Sequence, residues 1–506
     1  MNPQSPLFID ESAPVTWGCE RECVREGISL RYIRYFSHEI GTFPLEMAAI
    51  LAVPATAHPA PALLHLHGGA QCANVEIALA WAKRGFVTLC PDWSVPAEMH
   101  QADHVTRWPE GVPPVHNATL EAGMATIGHV VRGVRRGLSL LQAMPEVRSE
   151  RIGMVGISWG GLMTWLVNGT DSRLSAAIAV YGSGLAAGRS ASASWRSSFQ
   201  PESVAKTQRA PILHLNGTHD FFGHLETSEA LLKRVGPAAR RLYVPNEDHG
   251  LNEQARDCAF AWLQLHLNGE GALPAEPDGN PGPGKRFFHA PDAGRRAVWR
   301  EVAPENLPGS GRWFVTERHP GGLAFSSPVR EGPPGSCPPA SGPRSRIWSA
   351  EFDGRTGLYL RWELENLSVH APAIGHLHVK DGGVGVTPRR DRLCLFVRTD
   401  ADCPDSAEGI AVKLSAPAGT SVNLSLFTAP EIAEAHRWNV AGKSCLASGE
   451  QTLFFAFSLF QPADQIQSAG EGQNTFDPHS LCVLRLEMIC PASQPVDLRL
   501  RAIGFR

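Results

Sequence analysis

The run GISWG at residues 156–160 places Ser158 between two glycines. A turn tight enough to expose a serine hydroxyl brings backbone segments close together, so a side chain two residues before or after the serine would clash. The same pattern occurs by chance in glycine-rich loops, and an ordinary loop serine is the competing interpretation. The apolar residues that lead into the run and the helical pattern after it indicate a strand, a sharp turn and a helix. This setting favours a nucleophile.

Two later segments supply the groups that such a serine needs. A serine hydroxyl is a weak nucleophile, so it requires a base, and the base requires an acid that orients it. Asp220 follows the predicted strand in PILHLNGTHDFFG, and His249 follows the one in RRLYVPNEDHGLN. The order serine, acid, histidine is the one expected for this type of turn. We therefore predict a catalytic triad of Ser158, Asp220 and His249.

The polar residues near Asp220 and His249 allow other assignments. His219, Asp220 and His224 could instead form a metal cluster, but no paired metal-ligand motif occurs elsewhere in the chain. Glu247 and Asp248 are carboxylates adjacent to the predicted base, and close sequence neighbours cannot easily orient one imidazole. We therefore expect neither a metal nor an organic cofactor.

A glycine turn at residues 67–69 could complete the site. The segment LHLHGGAQ ends a predicted strand at His67-Gly68-Gly69, where missing side chains let backbone N–H groups approach a substrate oxygen. One donor of this oxyanion hole would be Trp159, directly after the serine, and the other Gly69 or Ala70. His67 is expected to have a structural role.

Two long insertions at the predicted carboxyl edge of the sheet, residues 92–117 and about 183–209, are candidates for the pocket wall. Their tryptophans could stack on a sugar or an aromatic acid, or could merely pack the loops. We predict substrate contacts for Trp93, Trp108 and Trp195, with Trp159 as a further candidate.

The predicted elements differ between the two halves of the chain. Strands alternate with helices up to residue 268, which predicts a mainly parallel sheet covered on both faces. One long amphipathic helix carries apolar residues at helical spacing: Ile127, Val130, Val131, Val134, Leu138 and Leu141. A Pro- and Gly-rich stretch then precedes short alternating segments typical of an all-β sandwich or jelly roll. The predicted domains are residues 1–268, a linker at 269–295, and residues 296–506.

With these residues in this order, residues 28–268 resemble the α/β-hydrolase superfamily. Within it they are similar to the dienelactone-hydrolase and prolyl-oligopeptidase-like branch that also contains acetyl xylan esterases. Dienelactone hydrolases use cysteine where this chain has Ser158, so the resemblance implies general ester hydrolysis.

Composition limits the partners. The 506 residues carry a formal net charge of −4 and are 43% hydrophobic, which gives no electrostatic reason to expect nucleic acid or an anionic membrane. No signal sequence or membrane span is recognised, and the eleven cysteines are dispersed. We expect a cytoplasmic protein with reduced thiols.

The combined prediction is a serine hydrolase that cleaves a carboxylic ester, with a small acyl group and an O-acetyl saccharide as the first substrate class. Two alternatives stay open at this stage: a peptidase or amidase with the same triad, and a non-catalytic protein that binds through its β domain. That domain could bind carbohydrate, cover the first domain or support a homo-oligomer, and the sequence does not decide among these roles.

Overall fold

A computed structural model describes residues 5–69, 71–94, 104–183, 191–220, 223–247, 249–291, 299–308 and 310–331 of the first half of the chain. In the second half it describes shorter segments: 349–351, 358–359, 377–380, 383–386, 392–398, 407–427, 437–440, 442–446, 448–462, 476, 483–489 and 498–505. The chain divides into two compact units, Met1–Gly335 and Ser336–Arg506. None of the helices in these ranges is long and apolar enough to span a bilayer.

Nine strands form the main sheet of the first unit: β1 Trp17–Arg25, β2 Ile28–Ile40, β3 Phe43–Pro54, β4 Ala60–Leu66, β5 Val87–Pro91, β6 Val147–Ile157, β7 Ala176–Val180, β8 Ile212–Gly217 and β9 Ala239–Val244. Their order in the sheet is β1-β2-β3-β5-β4-β6-β7-β8-β9. The first four strands in this order, β1, β2, β3 and β5, pair antiparallel. All further pairs, from β5 to β9, are parallel. The predicted mainly parallel sheet is confirmed.

Five α-helices lie between consecutive strands of this sheet, and a sixth follows β9: α1 Val75–Ala82, α2 Thr126–Ala143, α3 Trp159–Thr170, α4 Ala193–Phe199, α5 Leu225–Val235 and, after β9, α6 Glu253–Leu263. Short 3-10 turns lie at Ala122–Met124, Pro201–Thr207 and Gly236–Ala238, and α6 continues into a π-helical turn, Gln264–Asn268. Parallel neighbours need such crossover connections, which cover the sheet.

Helices pack against both faces of the main sheet. Leu63 and Leu64 are successive residues of β4 and join different apolar clusters, because successive side chains of a strand point to opposite faces. The Leu64 cluster includes the buried face of α2, and every residue predicted for that face is fully buried. The Leu63 cluster includes α6. The carboxyl ends of the parallel strands therefore lie together at one edge of the sheet, between the two helical layers.

A smaller antiparallel sheet follows in the same unit, with 3-10 turns at Pro304–Asn306 and Pro320–Gly322. Its strands are β10 Lys285–Ala290, β11 Arg300–Val302, β12 Arg312–Arg318, β13 Ala324–Ser326 and β14 Arg330–Glu331, and we call residues 285–331 the appended sheet. Phe288 and Phe314 lie in one apolar cluster with Tyr243 of β9. The appended sheet thus packs on the parallel sheet.

This arrangement differs from the predicted domain boundaries. The predicted linker, 269–295, contains β10, and the first compact unit extends to residue 335 rather than to 268. The reason is burial: Phe288 and Ala290 of β10 are apolar residues with little exposed surface, packed in the core of the first unit.

The second unit contains two antiparallel sheets. One has strands β15 Ser349–Glu351, β17 Leu377–Lys380, β18 Gly383–Val386, β20 Gly409–Ala416, β24 Gly449–Ala456 and β27 Leu498–Phe505. The other has β16 Leu358–Tyr359, β19 Arg392–Arg398, β21 Ser421–Phe427, β22 Arg437–Asn439, β23 Lys443–Ser444, β25 Gln461–Pro462 and β26 Val483–Ile489. A 3-10 turn lies at Phe457–Leu459. The predicted β-rich character is confirmed, and the sandwich or jelly-roll arrangement stays a prediction.

A buried charge network fastens the amino-terminal segment to the parallel sheet. Asp171, fully buried after α3, accepts hydrogen bonds from Arg135 Nε at 3.0 Å and from Arg173 Nη2 at 2.6 Å. Arg135 also donates to the carbonyl of Leu7 and pairs with Glu11. Burial acts to raise the pKa of Asp171, but the hydrogen bonds and charges of the two arginines lower it below 3.8.

We expect Asp171→Asn to lower the free energy of unfolding by about 3–5 kcal/mol, because it leaves two buried guanidinium groups without their shared carboxylate. Urea unfolding followed by tryptophan fluorescence measures this change. Because the pKa is lowered in the folded state, the carboxylate stabilises the fold above pH 3.8 and loses this effect as the pH falls through the lower folded value. Glu76→Gln, which breaks an exposed ion pair with Arg25, is the control and should cost at most about 1 kcal/mol. Equal losses in the two variants would contradict the prediction.

Candidate functional site

Ser158 lies on a sharp turn between β6 and α3. Its φ of 56° and ψ of −116° are unusual for a residue with a side chain. The backbone N–H of Ser158 donates to the carbonyl of Val180 in the neighbouring strand at 2.8 Å, and its carbonyl accepts the N–H of Leu162 at 2.9 Å. These bonds hold a strained conformation in place, a feature that clusters at functional sites.

The glycines on either side of Ser158 are required by the close packing of this turn. A Cβ on Gly156 would lie 2.0 Å from the carbonyl oxygen of Gly160. A Cβ on Gly160 would lie 2.5 Å from the carbonyl oxygen of His67, at the end of β4. Both distances are far shorter than any real carbon–oxygen contact, so the turn cannot form with larger residues.

Ser158, His249 and Asp220 form one hydrogen-bonded chain. Oγ of Ser158 lies 2.9 Å from Nε2 of His249, whose Nδ1 lies 2.9 Å from Oδ2 of Asp220. All three side chains are buried, with exposures of 2–3%. A carboxylate only accepts hydrogen bonds, so Nδ1 carries the proton and the lone pair of Nε2 faces the serine hydroxyl. In this tautomer His249 can remove the proton of Ser158.

The loop that carries Asp220 is closed by side-chain hydrogen bonds. Oδ1 of Asp220 accepts the N–H of Gly223 at 2.9 Å. The amide of Asn216 donates to the carbonyls of Gly217 and Gly223, at 2.9 and 2.7 Å. These bonds leave Oδ2 of Asp220 directed at His249. Asn216 was not singled out from the sequence, where an asparagine at the end of a strand carries no distinctive signal.

Tyr181 packs against the imidazole of His249. The ring centroids are 4.4 Å apart at an angle of 38°, and Tyr181 is 1% exposed. Tyr181 comes directly after β7, and its φ of 55° makes it a second residue with a strained backbone. Sequence reasoning missed this residue, although its place after a parallel strand was a usable signal.

The candidate oxyanion residues Gly69 and Trp159 lie side by side. Trp159 is the first residue of α3, where backbone N–H groups point out of the helix. A Cβ on Gly69 would lie 2.9 Å from Cδ1 of Trp159, and one on Gly68 would lie 3.4 Å from Cβ of Ser158. The third candidate, Ala70, lies outside the described residues. The glycine turn thus borders Ser158. Because Gly68 and Gly69 have no side chains, the backbone of the turn can approach Ser158 and Trp159 this closely.

His67 has structural partners. Its ring stacks on Trp93 with centroids 4.4 Å apart, and Nε2 accepts the backbone N–H of Trp93 at 3.1 Å. Nδ1 of His67 donates to the carbonyl of Gly68 at 2.8 Å. Both ring nitrogens are occupied by backbone groups, so His67 fixes the glycine turn and is not a second base.

Asp92 connects the two loops beside His67. Its carboxylate accepts the N–H of Thr106 at 2.8 Å, the N–H of Ala73 at 3.3 Å and the hydroxyl of Ser94 at 3.0 Å. Burial raises the pKa of Asp92 to about 6, and these hydrogen bonds act in the opposite direction. The carboxylate of Asp92 thus ties the long insertion to the segment that follows the glycine turn.

The three tryptophans predicted to bind substrate lie in the hydrophobic core. Trp93, Trp108 and Trp195 have exposures of 1%, 8% and 0%. The indole of Trp93 donates to the carbonyl of His67, and that of Trp108 donates to the carbonyl of Ser94. Trp195 packs on Phe199. The substrate contacts predicted for these three tryptophans are therefore wrong. Their indoles pack in the core and hold the insertions against it.

His219, Asp220 and His224 do not form the alternative metal cluster. The carboxylate of Asp220 is hydrogen-bonded to His249 and Gly223 instead. Across the ranges given above, no group of three His, Cys, Asp or Glu side chains is placed to hold a metal ion.

An exposed histidine that was not predicted, His116, lies near the candidate oxyanion residue Trp159. The centroids of the two rings are 6.4 Å apart.

The order of the sheet and a serine on a strained strand-to-helix turn are those of the α/β-hydrolase fold. Residues 47–261 match the model of the dienelactone hydrolase family. The predicted resemblance to this family is thereby confirmed.

Similar proteins match only part of the chain. A proposed carboxymethylenebutenolidase from Escherichia coli strain K12 is 31% identical over 110 residues, which are 21% of this chain and 39% of that protein. The chain thus spans about two fifths of the length of the curated relatives it matches. Acetyl xylan esterase from Paenibacillus sp. R4 is 18% identical, with a TM-score of 0.41 over 50% of this chain and 89% of that one. Acetyl xylan esterase 1 from Thermoanaerobacterium sp. JW/SL YS485 is 15% identical, with a TM-score of 0.43 over 52% and 89%.

Proposed function

We propose that this protein hydrolyses carboxylic esters through an acyl-enzyme on Ser158. The observation that carries the proposal is the continuous hydrogen-bonded chain from Oγ of Ser158 through the imidazole of His249 to the carboxylate of Asp220. A serine is activated in this way only when the base holds its lone pair toward the hydroxyl and the acid holds the base in that tautomer.

In the proposed reaction, Nε2 of His249 takes the proton of the Ser158 hydroxyl while Oγ attacks the carbonyl carbon of the ester. The negative charge that develops on the carbonyl oxygen is stabilised by backbone N–H groups of Trp159 and the glycine turn at Gly69. Asp220 stabilises the imidazolium that forms. His249 then gives its proton to the leaving alcohol, and an acyl group stays on Ser158.

Water completes the cycle by the same steps in reverse order. His249 removes a proton from the water, the resulting hydroxide attacks the acyl carbon, and the second oxyanion uses the same N–H groups. Collapse of this intermediate breaks the bond to Oγ of Ser158, which recovers its proton from His249. The carboxylic acid leaves, and no oxidant, metal or organic cofactor takes part.

We further propose a small acyl group, with acetylated saccharides as the first class to test. Support comes from the narrow surroundings of the nucleophile: Ser158 is 2% exposed, and the indole of Trp159 lies against Gly69. A long acyl chain would have to displace these groups.

A comparison of substrates tests the reaction class. We expect p-nitrophenyl acetate and acetylated sugars to be cleaved with higher kcat/KM than p-nitrophenyl esters of long acids and than aminoacyl p-nitroanilides. Faster cleavage of the anilides would favour a peptidase or amidase with the same triad, and faster cleavage of long-chain esters would overturn the proposed acyl size.

Tyr181 should assist the charged form of His249. A cation beside an aromatic face is stabilised by about 0.5–2 kcal/mol, and the imidazolium exists only during the reaction. We therefore expect Tyr181→Leu to lower kcat by about 2- to 30-fold with little change in KM. Tyr181→Phe keeps the ring and the backbone conformation and should retain kcat. If the two variants lost activity equally, the hydroxyl rather than the ring would be the important group.

A further inference from the structure

Asn246 lies three residues before His249, on the turn that follows β9. Its φ is 58°, in the left-handed region that asparagine tolerates better than most residues. The side chain of Asn246 is directed away from the main sheet, toward the appended sheet. This turn carries the proposed base, so whatever fixes Asn246 also limits where His249 can move.

The side chain of Asn246 makes two hydrogen bonds to one residue of the appended sheet. Oδ1 accepts the backbone N–H of Trp299 at 2.7 Å, and Nδ2 donates to the backbone carbonyl of Trp299 at 2.7 Å. Two parallel bonds fix the orientation of an amide as well as its position. Trp299 is itself immobilised: it is 3% exposed and its ring packs on Phe314 at 4.9 Å between centroids.

The backbone of Asn246 extends this connection to the loop that carries Asp220. The N–H of Asn246 donates to Oγ1 of Thr218 at 2.8 Å. Thr218 lies two residues before Asp220, and its own N–H donates to the carbonyl of Val244 at 3.0 Å. Asn246 therefore contacts both catalytic loops and the appended sheet at one point.

We infer that Asn246 is a positioning residue that uses the appended sheet to hold the loop of His249 in register with Ser158. The inference rests on the proposed function of the triad. Trp299 lies outside the residues that match the family model, 47–261, so this role of the appended sheet would be an addition to the matched region. Placement errors of about 1 Å in a catalytic group can cost on the order of 100-fold in rate.

The test uses two variants of Asn246 and one control in the full-length chain. Asn246→Gly keeps the positive φ and removes both bonds to Trp299. Asn246→Asp keeps the acceptor for the N–H of Trp299 but places a carboxylate oxygen against the carbonyl of Trp299, where two acceptors meet. Ser326→Ala is the control, because Ser326 Oγ accepts the N–H of Tyr243 at 3.0 Å and joins the same sheet to β9 without contacting the His249 turn.

We expect Asn246→Gly to lower kcat on p-nitrophenyl acetate by about 10- to 100-fold with KM nearly unchanged. Asn246→Asp should also lower kcat, and Ser326→Ala should lower only the melting temperature. Unchanged kcat in Asn246→Gly, or an equal loss of kcat in Ser326→Ala, would overturn the inference.

A second readout separates this inference from the proposed function. The proton between Nδ1 of His249 and Asp220 should give a downfield ¹H NMR resonance that disappears in His249→Ala. We expect it to broaden or move in Asn246→Gly and to be unchanged in Ser326→Ala. If the wild-type protein cleaved no ester, the proposed function would fail, and this resonance would still decide the positioning role. The same resonance in Asn246→Gly as in the wild type would overturn it.

Discussion

Ser158→Ala should lower kcat for ester hydrolysis by about 10⁴- to 10⁶-fold, the largest effect of any single substitution in this chain. The variant removes the only atom that can form the acyl-enzyme in the proposed mechanism. The residual rate reflects oxyanion stabilisation and substrate binding, which do not need the nucleophile. Hydrolysis of p-nitrophenyl acetate at high enzyme concentration, corrected for the buffer rate, measures the loss.

The fold should survive this change. Alanine has the same preference against positive φ as serine, so the strain of the turn at Ser158 is not increased. Ser175→Ala is the matched control: Ser175 lies just before β7 and its Oγ donates to the carbonyl of Glu150 at 2.7 Å, away from the triad. Retention of activity to within about tenfold in Ser158→Ala would mean that another residue is the nucleophile.

Asp220→Asn should lower kcat by about 10⁴-fold, the effect seen when the acid of a serine triad is replaced by its amide. The local geometry explains why. Asp220 accepts the N–H of Gly223 on Oδ1 and that of His249 on Oδ2, both at 2.9 Å. An amide has one oxygen, so its NH₂ must face either Gly223 or His249.

Each orientation of the amide at position 220 is unfavourable. If the NH₂ group faces His249, Nδ1 must accept a hydrogen bond, and the proton moves to Nε2, where it blocks removal of the Ser158 proton. If it faces Gly223, two donors meet in a buried site. Steady-state kinetics on the same ester measures the loss. Asp257→Asn, on the exposed side of α6, is the control and should keep full activity. A loss of less than about tenfold in Asp220→Asn would exclude Asp220 as the orienting acid.

The sequence predicted the parts of the site that depend on local pattern and chain order. Ser158 could be recognised because two glycines, a strand and a helix surround it, and each is a short-range requirement of the turn. Asp220 and His249 follow successive parallel strands, whose carboxyl ends meet at one edge of the sheet. Periodicity predicted α2 correctly because its buried face is a regular stripe of apolar residues.

Features that depend on long-range packing could not be read in this way. Composition alone does not show whether a tryptophan lines a pocket or fills a core, so Trp93, Trp108 and Trp195 were assigned to substrate. The Pro- and Gly-rich stretch before β10 looked like the end of a domain, whereas the following strands pack on Tyr243. The bonds between Asn246 and Trp299 join residues far apart in the chain, and neither residue has a local signal.

The most direct measurement of the central claim is covalent labelling of the folded protein with a fluorophosphonate, followed by peptide mass spectrometry. Such a probe phosphonylates only a serine that a base activates. We predict a single adduct, on Ser158, with labelling abolished in Ser158→Ala and strongly slowed in His249→Ala. No adduct on the wild-type protein, or an adduct that persists in Ser158→Ala, would contradict the assignment of Ser158 as the nucleophile.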